Sequence, residues 1–364
     1  MVKIIAVALN LHDHNTYDGV FHNQRERHTR FKHNLPYKAE AYAHQSDILD
    51  PGDYKLNDEF TEKYFKKPDD GVLAFSYTFG GVRKSKEELL KTILKGHDEI
   101  FNYDPKTLWD YYYKDAIYYI DHHQSHAAYA FTNSGFQQSD ILAIDGIGSK
   151  FRCVFFDKDY KLHDLSDKLP IGWLWNHMSN LTGFGTLGAS KLMGKVGYGK
   201  HSDYYYNVFE VIFGGEITEK KQEHFKEIRL DSIDDLAYTL QEFTIDKIKE
   251  HVLPLKTTNK LCIAGGVAYN GYMNEMFTEY YDDVFVPPAV GDEGQAIGVY
   301  QHADYTINYN VHKSNLYAGK EYNILSDEWP YKYEKADYKQ IAQEIADGKI
   351  VGWFQGKSES GNRA

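Results

Sequence analysis

Apolar residues gather into short runs that end in polar or glycine-containing turns. The first run, Lys3–Leu9, reads as a buried strand that stops at the polar turn Asn10-Leu11-His12-Asp13, with a second strand-like piece near Gly19–Phe21. The unit recurs later. Asp140–Ile144 is an apolar strand ending in Asp145-Gly146-Ile147-Gly148, followed by a strand at Phe151–Phe156 and a turn at Asp157–Tyr160. Strand, turn and returning strand, written twice, predict a duplicated α/β lobe in which each copy aims its turn into a shared cleft.

Helical periodicity fills the intervals. Glu87, Leu89, Leu90, Ile93 and Leu94 mark a helix within 84–105, Gln124–Phe131 a second, and Leu236, Leu240, Phe243, Ile245 and Ile248 one apolar face of a long helix over 230–252. A strand at Lys260–Ala264 runs into Gly265-Gly266 and a helix through Asn270–Phe277. Another strand, Val284–Val286, meets Pro287-Pro288 and opens into a glycine-rich turn. Residues 301–337 are polar, aromatic and weakly periodic, which predicts a linker or surface excursion. A further helix–strand unit then begins, with Ile341, Ile345 and Ala346 leading to Lys349–Phe354.

Length and composition narrow the class. A chain of 364 residues, 42% hydrophobic, accommodates two domains or two lobes around a cleft. It has no apolar run near the ~18 residues that would span a membrane. The net charge of −12 argues against a nucleic-acid-binding surface, which needs basic stripes. The first residues lack the pattern of a signal peptide, and Cys153 and Cys262 sit inside apolar strand-like runs, so a reducing cytoplasm is the expected compartment.

Among chemistry-bearing residues, the run Asp121-His122-His123-Gln124-Ser125-His126 stands out. His122 and His126 are four apart, so on a helix both imidazoles project from one face within reach of a single cation. A chance pair among 17 histidines is the competing account. Further ligands would come from acids at the ends of buried strands, and Asp145 and Asp292 both fit. Two nitrogens with one or two carboxylates, and positions left open, suit Fe(II), Mn(II) or Zn(II) better than a closed structural site. His123 reads as a packing or supporting histidine.

The turns Asp145-Gly146-Ile147-Gly148 and Gly291-Asp292-Glu293-Gly294 set an acid beside main-chain N–H groups, which suits a metal held against phosphates, though solvated tight turns look the same in sequence. Gly265-Gly266-Val267-Ala268-Tyr269-Asn270 follows a strand and opens a helix. Glycines there let a base or ribose lie against main chain, with Asn270 in hydrogen-bonding reach. A second glycine-rich stretch runs from Gly188 through Lys191 to Gly199. The compact basic cluster Arg25–His33 is either a solvated charged face or a phosphate-facing edge with Lys32 as the reaching cation.

Taken in order, these pieces resemble the nodulation- and antibiotic-type carbamoyltransferase family. The matching stretches are His12-Asp13, Glu26-Arg27 through Lys32-His33, His122 to Ala128, Asp145 to Gly148, Lys191 to Gly194, Ala264 to Val267 with Asn270, and Val286-Pro287-Pro288 through Asp292 to Gly298. The run Gly348–Gly356 looks like the opening of the family's second, YrdC-like domain. His28 and Asn362 depart from the family pattern, which usually has Phe and Pro there.

The resemblance implies an actin-like ATPase fold of two ribonuclease-H-like lobes, about 1–139 and 140–330, with a truncated YrdC-like beginning at 335–364. It implies that His122, His126, Asp145 and Asp292 bind one divalent metal ion, iron(II) first among the options, and that Lys32 contacts the nucleotide. Gly265, Gly266 and Asn270 would line the adenosine pocket. His12 and Asp13 would sit near the carbamoyl group or the acceptor, one of them taking the acceptor's proton. The implied reaction moves a carbamoyl group from carbamoyl-adenylate, made from carbamoyl phosphate and ATP, onto a small-molecule hydroxyl. Adenylate synthesis belongs to the YrdC-like domain, so this chain is expected to use the adenylate without making it. A homodimer or a separate YrdC-like portion would be the partner. Two other readings stand beside it: a tRNA threonylcarbamoyladenosine transferase-like enzyme, and a non-catalytic ATP-binding module.

Overall fold

A computed structural model describes residues 1–9, 14–24, 71–77, 112–114, 117–146, 148, 151–185, 188–213, 228–315, 318–319, 336–353 and 356–357. Its centre is two sheets. The first contains β1 (Lys3–Leu9), β2 (His14–Tyr17), β3 (His22–Gln24), β4 (Gly71–Tyr77), β5 (Tyr112–Lys114) and β6 (Ile117–Tyr119), in the order β3-β2-β1-β4-β6-β5. The second contains β7 (Asp140–Ile144), β8 (Cys153–Phe156), β9 (Leu162–Asp164), β10 (Lys260–Ala264) and β11 (Asp283–Phe285), in the order β11-β10-β7-β8-β9.

The sheets repeat one topology. β1 pairs antiparallel with β2 and parallel with β4, as β7 does with β8 and β10. β2 and β3 match β8 and β9, and the parallel pair β4–β6 matches β10–β11. This is the duplicated, actin-like α/β arrangement. Its central strands are covered on both faces, which is why β7 is buried at every position and reads as an unbroken apolar run.

Eight α-helices are described: α1 (His122–Ser134), α2 (Ile171–Leu181), α3 (Ala189–Met193), α4 (Asp203–Phe213), α5 (Ile233–Val252), α6 (Gly271–Phe277), α7 (Gln295–Asn308) and α8 (Tyr338–Ala346). α1 follows the first sheet in sequence but packs against β7 and β10 of the second. α7 follows the second sheet and packs against β1, β2 and β4 of the first, where Val299 and Ala303 join Ile4, Ala6, Val72 and Ala74 in one apolar cluster. The two helices also pack on each other, so closely that a β-carbon at Gly298 would stand 1.9 Å from the Ser125 carbonyl oxygen. The helices cross between the sheets, and their N-terminal ends meet there.

Three expectations are revised. Residues 19–21 form the turn between β2 and β3, because Asp18 Oδ1 accepts from the main-chain N–H of Val20 and Phe21 and Gly19 takes φ +94°. Residues 301–308 complete α7, with Gln301, Ala303 and Asp304 buried. The described part of the strand expected at Lys349–Phe354, residues 349–353, has no strand pairing. α8 precedes it with no buried residue. The helix expected within 84–105 lies outside the described residues. No helix among the described residues is long and apolar enough to cross a membrane. Cys153 and Cys262 are buried and unpaired, and burial pushes the Cys262 thiol up to about 11.

Candidate metal centre

Asp121 sets the position of α1. Its side chain caps the helix by accepting from the main-chain N–H of His123 and Gln124, which fixes the first turn and with it the direction of His122. One turn further on, His126 points the same way. Both are fully buried, and their Nε2 atoms stand 3.2 Å apart. From the second sheet, Asp145 leaves the end of β7 with its main-chain N–H bonded to the Arg152 carbonyl. Asp292 sits in the short turn that leads into α7.

The four side chains converge. His122 Nε2 lies 3.5 Å from Asp145 Oδ2 and 3.3 Å from Asp292 Oδ1, and His126 Nε2 lies 3.4 and 3.2 Å from the same atoms. One donor atom from each residue falls within 4.8 Å of all the others. Ligands held about 2.0–2.1 Å from a tetrahedral ion stand about 3.3 Å apart, so the observed spacings fit donors around one small cation.

Charge supports the same fit. Burial alone lowers the His126 pKa, but Asp145 and Asp292 outweigh it and hold the group up at about 9. Burial alone would raise Asp145, and the two imidazoles outweigh it to hold the carboxyl well below its usual range. Asp145 Oδ1 accepts from the Gly146 N–H at 2.6 Å, whereas Oδ2 is turned toward the two histidines and, among the described residues, meets only their Nε2 atoms, at 3.4 and 3.5 Å. An imidazolium between two carboxylates is a site that a divalent cation enters by displacing the proton. The donor set and its convergence on one point therefore fit a metal ion.

Beside it stands the glycine turn. Gly265 takes φ +94°, and a β-carbon there would lie 2.2 Å from the Ile144 carbonyl oxygen, so contact between the ends of β10 and β7 already demands glycine. A β-carbon on Gly266 would lie 2.9 Å from Asp145 Oδ1, which joins this turn directly to the acid cluster. Asn270 caps α6 by accepting from Met273 N–H, and its Nδ2 donates to Gln241 Oε1 at 2.8 Å. His12, Asp13, Lys32 and the basic cluster lie outside the described residues.

Three neighbours carry no local signal in the sequence. Asn15 in β2 donates to the Asp292 carbonyl and accepts from Ala296 N–H. Glu293 accepts from Tyr269 Oη and from Gly291 N–H, tying the glycine turn to the Asp292 turn. Gln295 contacts His122. Asn15 falls in no motif, and Glu293 and Gln295 lie inside the Asp292 stretch without any period or spacing that marks their own roles, because each acts between two turns or across a long separation in sequence.

Fold and site together define a duplicated α/β protein with a four-residue metal-type cluster where its two crossing helices meet. Residues 18–300 match the family described as the carbamoyltransferase N-terminus, and the chain belongs to that family. It is similar to the nodulation protein NolNO of Sinorhizobium fredii, 29% identical over 291 residues that cover 68% of this chain and 42% of that protein. It is also similar to the 3'-hydroxymethylcephem-O-carbamoyltransferase of Streptomyces clavuligerus, 30% identical over 126 residues, 33% of this chain and 24% of that one. Among solved structures, the activator of the 2-hydroxyisocaproyl-CoA dehydratase from Clostridium difficile aligns with a TM-score of 0.45 and 11% identity, over 85% of this chain and 98% of that one. The chain spans about half the length of the curated relatives it matches over most of its own.

Proposed function

We propose that this chain carries the carbamoyl-transfer site of an O-carbamoyltransferase, which moves a carbamoyl group from carbamoyl-adenylate to a small-molecule hydroxyl. The observation that carries the reading is the convergence of His122, His126, Asp145 and Asp292 between the two sheets, in a chain of the carbamoyltransferase N-terminus family. These four side chains would hold one divalent ion, iron(II) first and manganese or zinc as alternatives. Bound there, the ion supplies Lewis-acid stabilisation of negative charge on the donor's phosphate or carbamoyl oxygen.

The rest falls to the chain's own groups. The acceptor oxygen attacks the carbamoyl carbon, the bond from that carbon to the AMP phosphate oxygen breaks, and AMP leaves with the electron pair. The acceptor's proton passes to His12 or Asp13, which follow β1 in sequence as Asp145 follows β7. Adenosine rests on the main chain of Gly265 and Gly266, with Asn270 shaping the pocket and Lys32 neutralising a phosphate.

The test is acceptor carbamoylation from supplied carbamoyl-adenylate, read by mass spectrometry over a panel of hydroxyl compounds with Fe(II), Mn(II) or Zn(II) added. Transfer should occur and should drop at least a hundredfold in Asp145→Asn and His126→Ala. Equal transfer by those variants would reject the site. Hydrolysis to AMP with no carbamoylated acceptor would reject the transferase.

A further inference from the structure

His122 and His126 turn their Nε2 atoms to one point, yet their other nitrogens are treated differently. His126 Nδ1 is buried without a hydrogen-bond partner among the described residues. His122 Nδ1 lies 2.7 Å from the side-chain nitrogen of Gln295, and that nitrogen also donates to the His122 carbonyl at 3.3 Å. Gln295 is fully buried at the first position of α7, on the same short segment as Asp292. Its Oε1 is buried with no hydrogen-bond partner among the described residues.

A neutral imidazole carries one N–H. If Nε2 offers its lone pair to a cation, the proton resides on Nδ1 and needs an acceptor, and such a partner fixes the ring and raises its basicity as a ligand. The Gln295 nitrogen is a donor and would oppose that proton. Turning the amide about its last bond exchanges nitrogen for oxygen and brings the unpartnered Oε1 to the same place. Glutamine therefore serves two states with one side chain, donating to His122 when the proton is on Nε2 and accepting from it when Nε2 faces an ion.

We propose that Gln295 is the positioning residue of His122, its amide turning so that Oε1 accepts the Nδ1 proton when a divalent cation occupies the cluster. The proposal rests on the metal-centre reading above. Its assignment explains why a polar side chain is buried at the start of α7 beside an apolar interface, and it links Asp292 and His122 through one element.

The experiment measures Zn²⁺ binding to the purified chain by competition with a chromogenic chelator, for wild type, Gln295→Glu and Gln295→Met. Methionine keeps the length but can neither donate nor accept, so affinity should fall about 10- to 100-fold. Glutamate keeps the acceptor and should bind within about threefold of wild type or more tightly. Binding by Gln295→Met within threefold of wild type overturns the proposal while leaving the metal centre standing. Absence of Zn²⁺ binding by the wild type overturns both. Histidine-labelled NMR of the wild type gives a second readout that needs no variant to fold. The His122 proton should move from Nε2 to Nδ1 on zinc addition, and an unchanged tautomer would refute the proposal.

Discussion

Asn15 donates from its side-chain amide to the main-chain carbonyl of Asp292 at 2.9 Å, across 277 positions of sequence. Its oxygen accepts from Ala296 N–H at 3.0 Å. The residue before α7, Gly294, has no side chain to cap the helix, so the cap is supplied from β2 of the other sheet. One asparagine thus fixes both the turn that carries Asp292 and the helix that follows it.

Asn15→Ala should accordingly cost more than an ordinary surface change. It strands a buried carbonyl and a buried N–H, each worth about 1–3 kcal/mol, so a loss of about 2–6 kcal/mol in the free energy of unfolding is expected by urea titration. A loss below about 0.5 kcal/mol would show that the first sheet does not hold the Asp292 turn.

Gly298→Ala probes the helix crossing. The added methyl would meet the Ser125 carbonyl, and overpacking of this kind costs about 1–3 kcal/mol. Because α1 carries the histidines and α7 follows Asp292, metal affinity should fall together with thermal stability. Gly197→Ala, where nothing lies within 4 Å of the new carbon, is the control and should leave metal affinity unchanged.

A bulky residue at Gly266 should disturb the two halves of the site together. Its β-carbon would press on Asp145 Oδ1, so Gly266→Val is expected to weaken Zn²⁺ binding as well as binding of an ATP analogue, both measured by calorimetry. Loss of the nucleotide with zinc affinity intact would mean that Asp145 yields without cost.

His302 gives the protein a pH dependence of definite sign. Burial lowers its pKa from 6.5 to about 4, so between those values the unfolded chain binds the proton more readily. The stabilising contribution is complete above pH 6.5 and is lost as pH falls toward 4, by about 3 kcal/mol at most. In His302→Gln the fall in urea midpoint from pH 7 to pH 4.5 should be shallower than in wild type. Parallel curves would show that other groups govern the acid limb.

Much of this was legible in sequence where the signal is local. The spacing of His122 and His126 is a helical period, and Asp145 follows a short apolar run between turn signals that reads as a buried strand. The repeated strand, turn and strand announced the duplicated sheets. The segment near Gly19–Phe21 misled because β-branched and aromatic residues suggest a strand, while the Asx turn at Asp18 bends the chain there. Residues 301–308 looked like linker because Gln301 and Asp304 are polar, although both are buried, Gln301 against the distant Asn133 and Asp304 against Asn308 and Asn310. Asn15 lies in no motif, and the stretch that holds Glu293 and Gln295 pointed only to Asp292. Their roles arise from contacts that exist only once the sheets are assembled.

The exchange of α1 and α7 between the two sheets also bears on how the chain is born. As residues leave the ribosome from the N-terminus, β1, β4 and β6 emerge long before α7, the helix that covers them. The apolar face made by Ile4, Ala6, Val72 and Ala74 therefore waits uncovered until residue 308 has cleared the exit tunnel, because its lid is encoded in the other half of the gene. A nascent first half would be the form of this protein most exposed to aggregation, and severing the chain between the sheets would leave each piece lacking a helix that only the other can return.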